Sequence, residues 1–327
     1  MPTKLPYILI PSYHRADNLK TVQTLIRAYN YDASRIVVII DDQGGDYDAY
    51  KAACDHYGCH LEMFNLDAAR AQFDFVHRPS PARRAAGCSR NMFWKIAKEK
   101  YGITNYIVID DDMRSFQVRP YGVSVGPLIK ARPSQVQLVL SMVQQFCIDH
   151  HVGLFGLSQT GEMIASMKRP ETRLIRRKVM NVTFYNSDYV RGGERGVQDN
   201  DTSQFATAMY RGLWCASLAT GLVLEQTPSA TSPGGLTELY KECKLLNKAL
   251  VTVIQYPSAV HAEYQPKNGG RLHHRIRYRY LSPCLLKVRH GNNIGWDVYP
   301  EDVPFTCVPN RRWRYVDSEN DSSKDNV

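Results

Sequence analysis

The chain has 327 residues, 43% of them apolar and 22% charged, the balance of a folded globular protein longer than one typical domain. Its net charge of +9 favours anionic partners, nucleic acid and anionic substrates alike, without choosing between them. No apolar run reaches the ~18 residues that span a bilayer, and no two of the 8 cysteines have CxxC spacing, so neither a membrane span nor a zinc site is expected. The opening MPTKLPYILIPSYHR reads as a first strand rather than a signal peptide, and most cysteines as reduced core thiols of a cytoplasmic protein.

Residues 7–10 are the first predicted strand, and Pro11, Ser12 and Asn18 give a turn and a helix start. Leu19, Val22, Leu25, Ile26 and Tyr29 share one face at helical spacing, which predicts a helix over 19–29. The unbroken apolar run IVVII at 36–40 is a strand covered on both faces. A second helix over 47–57 is stopped by Gly58. This order implies an α/β fold with a mostly parallel sheet, right-handed crossovers, and ligands at the carboxyl ends of the strands. Both strand ends carry groups suited to a nucleotide. Pro11, Ser12, Tyr13, His14 and Arg15 follow the first, where Tyr13 could stack on a base. Asp41 and Asp42 follow the second, where Asp42 could accept hydrogen bonds from a base or a ribose. Taken singly, each segment reads better as a capping turn or a solvated loop.

Residues 85–98 are predicted helical, with Arg83, Arg84 and Arg90 at or near the start, where the helix dipole also favours anions; they make a wall for a diphosphate. The apolar, β-branched stretch 106–109 then reads as a buried strand, followed at once by Asp110, Asp111 and Asp112. Adjacent like charges cannot be buried without a compensating cation. Extended alternation would put Asp110 and Asp112 on one side and Asp111 on the other, so that two carboxylates could fix Mg²⁺ or Mn²⁺ together with a diphosphate. The plain alternative is a solvated acidic turn; the apolar strand and the upstream pattern argue against it.

Together the motifs IPSYHR, VVIIDDQGGD and GCSRNMFWKIAKEKYGITNYIVIDDD resemble the family 2 glycosyltransferases and their relatives. In those proteins a small-residue turn, an Arg-Asn pair and a helix precede an apolar strand that ends in an Asp-x-Asp metal motif. The resemblance covers residues 7–112 well and continues more weakly to about 256. It implies the A-type nucleotide-sugar-binding α/β fold, Mn²⁺ or Mg²⁺ as cofactor, and a nucleoside diphosphate sugar, of the UDP type, as donor. On this likeness Pro11, Ser12, Tyr13, Arg15, Asp42, Arg84, Ser89, Arg90, Asp110 and Asp111 serve the donor. Asp110 and Asp112 hold the metal, and a late histidine joins them, carried onto His261 with His273 and His274 as competitors. The basic balance and IPSYHR are similar to a narrower set, the phage glycosyltransferases associated with TET/JBP-type base oxidases. That likeness implies hydroxymethylated pyrimidines in DNA as acceptor and, for a phage protein, the host cytoplasm.

Further along, 134–150 reads as an amphipathic helix, 152–158 as a strand and 159–178 as a polar basic link. The link, with Arg169, Arg173, Arg176, Arg177 and Lys178, is equally a solvated loop or a polyanion contact. A strand over 179–185 and a glycine-bearing loop over 191–196 lead to a helix over 202–211. Asp199 and Asp201 stand at its amino end, where an N-cap is the commonest role for Asp. In inverting members of the resembled family an acidic pair here supplies the general base. That makes Asp199 the base and Asp201 an N-cap or supporting residue, although Gln198 stands where the family commonly has Glu. Residues 213–224 read as a strand, 227–235 as a linker or lid, 236–249 as a helix and 250–256 as a strand. In RLHHRIRYRY, Arg271, His273, Arg275, Arg277 and Arg279 alternate with a largely apolar set. An extended chain would present a cationic strip, either a phosphate contact or a solvated edge strand. Arg311, Arg312 and Arg314 repeat that composition, and 318–327 lack apolar content.

The domain organisation expected is an A-type domain over 1–256, with a nucleotide-binding half over 1–112 and an acceptor half over 113–256. A basic extension over 257–317 and a disordered tail over 318–327 follow. The chemistry expected is metal-dependent sugar transfer. A transferase acting on a glycan acceptor is the first alternative. A nucleotidyltransferase would want a glycine-rich loop after the first strand, which PSYHRADN lacks. A non-catalytic nucleic-acid-binding protein has no use for three carboxylates at a strand end, which repel DNA.

Overall fold

The computed structural model describes residues 4–72, 86–119, 128–160, 174–175, 178–192, 194–195, 199–210, 213, 215–226, 245–266, 270–281, 287–290 and 293–296. Arg83, Arg84, Gln198, the loop at 227–235, Arg311 to Arg314 and the tail at 318–327 lie outside them, as do Arg169, Arg173, Arg176 and Arg177 of the basic link.

A ten-stranded sheet organises the chain. Its strands are β1 (Ile8–Pro11), β2 (Ile36–Asp41), β3 (His60–Phe64), β4 (Asn105–Ile109), β5 (Met113–Arg119), β6 (Ile129–Lys130), β7 (Leu154–Gln159), β8 (Leu174–Ile175), β9 (Val182–Asn186) and β10 (Cys215–Gln226). Their order is β3-β2-β1-β4-β9-β7-β10-β5-β6, with β8 paired to β10. The first half, β3-β2-β1-β4, is all parallel. Beyond it the sheet is mixed: β9, β5 and β8 run against the strands they pair with. The basic link is thus not all loop, because β8 lies within it.

Period-two alternation splits the core between the two faces. Leu9, Val37, Ile39, Tyr106 and Val108 face one layer, and Ile8, Ile10, Ile36, Val38, Ile40, Ile107 and Ile109 face the other. The first layer holds α3 (Leu66–Gln72), α4 (Ala86–Tyr101) and α6 (Asn200–Tyr210). The second holds the helical stretch after β1, α2 (Tyr47–Tyr57) and α5 (Pro133–Asp149). That first stretch begins as α1 (Lys20–Gln23) and widens to a π-turn over Thr24–Ala28. At the end of α2, Gly58 adopts φ +71, the left-handed conformation that glycine takes at least steric cost, and its N–H bonds back to the helix.

Residues 250–256 are not a strand. Leu245–Gln255 forms one helix, α7, and the apolar run is its end. Short apolar runs carry no decisive period, and here the helix wins. A hairpin of β11 (Val260–Gln265) and β12 (Arg271–Ile276) follows, and α8 (Tyr278–Leu281) comes after its second strand. The alternating strip is therefore extended only as far as Ile276, and Arg279 lies on a helical turn. A last hairpin pairs β13 (Lys287–His290) with β14 (Asn293–Trp296). No helix among the described residues is long and apolar enough to cross a membrane. Cys54, Cys59, Cys88, Cys147 and Cys215 are buried free thiols, as the sequence led us to expect for most of the cysteines.

One side chain holds the turn between β4 and β5. The fully buried Thr21 donates its hydroxyl to the Asp110 carbonyl and accepts the Met113 N–H at 3.0 Å, while its own N–H reaches the Asp111 carbonyl at 3.2 Å. Thr21→Val keeps the shape but strands the Met113 N–H. The expected cost is about 1–3 kcal/mol in urea unfolding. Wild-type stability in that variant would mean the turn holds without the hydroxyl.

Candidate active site

The carboxyl ends of β1, β2 and β4 converge as a parallel sheet requires. Ser12 is buried, and its N–H bonds the Ile39 carbonyl at 3.0 Å, which brings the chain after β1 alongside β2. The Ser12 hydroxyl donates to Asp111 Oδ2 at 2.7 Å and shares a 2.9 Å hydrogen bond with the Tyr50 hydroxyl. Tyr50 in turn accepts the Arg15 N–H at 2.9 Å. A pocket at this edge is lined by Ser12, Tyr13, His14, Ile40, Asp41, Gly44, Asp46 and Tyr50. Asp42 points elsewhere: its carboxylate accepts the Leu66 N–H at 3.0 Å and the Asn65 side-chain amide, at the start of α3. The acid lining the pocket is its neighbour Asp41. Neighbouring acids point to opposite sides of an extended chain, so the DD pair does not reveal which one faces in.

The acidic triplet is a turn, not an extended continuation of β4. Asp111 meets the Arg15 guanidinium, and the same Arg15 group stands 3.7 Å from Asp112. Asp112 also accepts the Gln226 side-chain amide at 2.5 Å. Asp110 turns to Arg90 of α4. Extended alternation therefore does not describe the triplet, yet Asp110 is the largest like charge acting on Asp112. Burial and then Asp110 push the Asp112 carboxyl up to about 6, with Gln226 and Arg15 opposing. Burial also raises Asp111, against the pull of Arg15 and Ser12. Carboxylates this crowded favour a proton or a metal cation, and all-oxygen donors suit a hard ion such as Mg²⁺ or Mn²⁺. Among the described residues no group of three or more His, Cys, Asp or Glu side chains gathers closely enough to hold a metal unaided. Two carboxylates, with phosphate oxygens and water for the rest, are the set this site could offer.

On the far side of Asp110 lies a residue that the sequence leaves unassigned. Glu194 is 1% exposed, and its carboxylate stands 3.7 Å from Arg90. Asn91 clamps it in place, donating to the Glu194 carbonyl at 2.8 Å and accepting its N–H at 3.1 Å. A Cβ on Gly87 would meet the Glu194 Cβ at 3.2 Å, so α4 approaches this loop closely because residue 87 has no side chain. Burial lifts Glu194 to about 7, opposed chiefly by Arg90. Arg90 is partly buried, which works against its charge, but Asp110 and Glu194 hold it firmly cationic. The signal is the loop RGGERG, where an acid sits among glycines; nothing local says that it is buried. Ser89 is half-buried beside Arg90 in the first turns of α4.

The acidic pair opens α6. Asp199 stands just before the helix at φ 55, and its carbonyl accepts the N–H groups of Thr202 and Ser203 at 3.0 and 3.1 Å. Asp201 lies inside the first turn, so the N-cap position belongs to Asp199 and not to Asp201. Asp201 is bound by the ammonium of Lys178. Burial works to raise its carboxyl, but Lys178, His274 and the Thr202 N–H together outweigh that and hold it below the usual range. Lys178, counted among the cations of the basic link, is therefore occupied within the fold. His261, on β11, is half-buried, and its Nδ1 has no hydrogen-bond partner among the described residues. The histidine that reaches the acidic pair is His274, whose Nδ1 lies 3.1 Å from Asp199. Arg275 is paired with Glu263 at 3.0 Å.

Solved structures with similar folds include the glucosyl-3-phosphoglycerate synthase of Mycobacterium tuberculosis, in complex with Mn²⁺, UDP and phosphoglyceric acid. It is 10% identical over 84% of this chain and 87% of that chain, with a TM-score of 0.44. A mannosyltransferase from Pyrobaculum calidifontis, in complex with GDP-Man and Mn²⁺, is 12% identical over 78% of this chain and 64% of that one, with a TM-score of 0.45. Among curated proteins none matches the sequence. The model of the TET-associated glycosyltransferases matches residues 7–227, a span that holds β1 to β10, the acidic turn, Arg90, Glu194 and both acids of α6. The chain belongs to the TET-associated glycosyltransferase family.

Proposed function

We propose that this glycosyltransferase moves a sugar, with inversion, from a nucleoside diphosphate sugar of the UDP type to the hydroxyl of a hydroxymethylated pyrimidine in DNA. The observation that carries the donor side is the crowding of Asp110, Asp111 and Asp112 at the end of β4, with Asp112 pushed up to about 6. Asp110 and Asp112 would hold Mn²⁺ or Mg²⁺, with phosphate oxygens and water as the further ligands. When bound there, such an ion stabilises the negative charge that develops on a departing diphosphate. The nucleoside would lie in the pocket edged by Ser12, Tyr13 and Asp41, with Arg15, Ser89 and Arg90 towards the phosphates and Asp42 holding the floor through α3. Arg83 and Arg84 precede α4 and would complete that wall.

The reaction breaks the bond between the sugar's anomeric carbon and the diphosphate and forms a bond from that carbon to the acceptor oxygen on the opposite face. The transition state has oxocarbenium character, as in glycoside cleavage. The acceptor hydroxyl's proton passes to Asp199 as general base. Asp201, bound by the ammonium of Lys178, would support that base from the first turn of α6.

Family membership and charge support this acceptor. Bases in a duplex are stacked, so a target base must leave the stack to reach the end of β4. The chain's net charge of +9 favours holding flanking phosphates, and Arg277 is an exposed cation beyond the β11–β12 hairpin.

Asp110→Ala is expected to abolish Mn²⁺-dependent turnover in a screen of nucleotide sugars against duplex DNA with and without 5-hydroxymethylcytosine. Full activity of that variant in chelator would remove the metal role. Asp199→Asn should bind donor as the wild type does and lose roughly 10²- to 10⁴-fold in transfer; normal transfer would reject it as base. Affinity for DNA should fall by about 0.9 log units per phosphate contact for each log unit of salt. A salt-insensitive or absent complex would point to a glycan or other non-DNA acceptor.

A further inference from the structure

The β11–β12 hairpin lies wholly beyond residue 227, where the family match ends, yet it reaches the acceptor side of the site. Its root is tied to α6. The Tyr256 hydroxyl donates to the Ser203 carbonyl at 3.1 Å and shares a 2.6 Å hydrogen bond with the Thr207 hydroxyl. The Arg277 N–H closes the base of the hairpin on the Ala259 carbonyl at 2.7 Å. From this anchored hairpin the His274 ring enters the amino end of α6. Its Nδ1 is 3.1 Å from Asp199 Oδ2, and its Nε2 is 3.4 Å from the Thr202 hydroxyl. The two side chains are 6% and 4% exposed. A carboxylate this buried needs a compensating partner, and the ring supplies one. With Thr202 beside the other nitrogen, the ring is taken up inside the protein rather than turned to a substrate.

We infer that His274 is a positioning residue that holds the Asp199 carboxylate through its Oδ2. The C-terminal hairpin thereby completes an active site whose other parts lie within the family match. The two side chains lie within ion-pair distance, as a general base and the group that orients it would, with His274 at the far end of the chain from the donor pocket. It rests on the reading of Asp199 as the base.

The test uses the full-length chain with Asp199→Asn, His274→Ala, His274→Asn and the double variant Asp199→Asn/His274→Ala, assayed with UDP-glucose, Mn²⁺ and duplex DNA carrying 5-hydroxymethylcytosine. His274→Ala is expected to lower kcat by roughly 100-fold, with donor KM and Mn²⁺ requirement unchanged. His274→Asn keeps an N–H where Nδ1 stands and should recover most of the loss, which a purely structural role would not require. On the Asp199→Asn background His274→Ala should add little. A urea-unfolding cycle of the same variants needs no substrate; non-additive losses are expected, and strictly additive ones would show that the two side chains do not interact. A rise in the Mn²⁺ concentration needed for half activity, with kcat regained at saturation, would make His274 a metal ligand and overturn the inference. Inactive Asp199→Asn beside fully active His274→Ala would sink the positioning role alone, whereas active Asp199→Asn would sink the base itself.

Discussion

Three consecutive carboxylates at the end of a buried strand are the constraint around which the site is built. Each costs free energy to desolvate, and each raises the cost of the others. The fold answers with cations drawn from distant parts of the chain. Arg15, from the turn after β1, reaches Asp111 and Asp112, and Arg90, from α4, reaches Asp110. Even so, Asp112 stays above the ordinary range of a carboxyl, which leaves the turn receptive to a further positive charge. Thr21 grips the turn's backbone, and Ser12, itself bonded to Tyr50, holds Asp111.

Arg90 and Glu194 extend this electrostatic arrangement across the sheet. The guanidinium is shared between Asp110 and Glu194, and the charge of Asp201 bears on Glu194 in turn. A change of charge at Asp110 therefore bears on the buried Glu194 through the partly exposed Arg90 that they share. Parallel pairing of β1 and β4 brings the first and third motifs together, and the antiparallel insertion of β9 beside β4 carries the chain back towards Glu194 and α6.

Much of the nucleotide-binding half was legible because its signals are local. The unbroken apolar runs of β1, β2 and β4 report two covered faces, Gly58 reports a helix end, and DDD after an apolar strand reports a charged terminus that needs company. The misreadings share a cause. Residues 250–256 are apolar and β-branched enough for a strand, but they continue a helix that packs near α6, and tertiary packing overrides propensity. Of the adjacent acids Asp41 and Asp42, the one written as a ligand caps α3 instead, a choice made by Asn65 and Leu66 more than twenty residues away.

By itself the sequence determined the kinds of groups available and their order: an acidic strand end, arginines before it, an acidic pair later, and histidines near the close. Those properties follow from short-range periodicity and from charges adjacent in the chain. Only the tertiary structure decided the partners. Arg15 rather than a nearer cation serves Asp111, Lys178 neutralises Asp201, Glu194 is buried against Arg90, and His274 rather than His261 meets Asp199. Ion pairs between residues tens of positions apart depend on sheet order and helix packing, and those are set by the burial of whole faces, which no local pattern records.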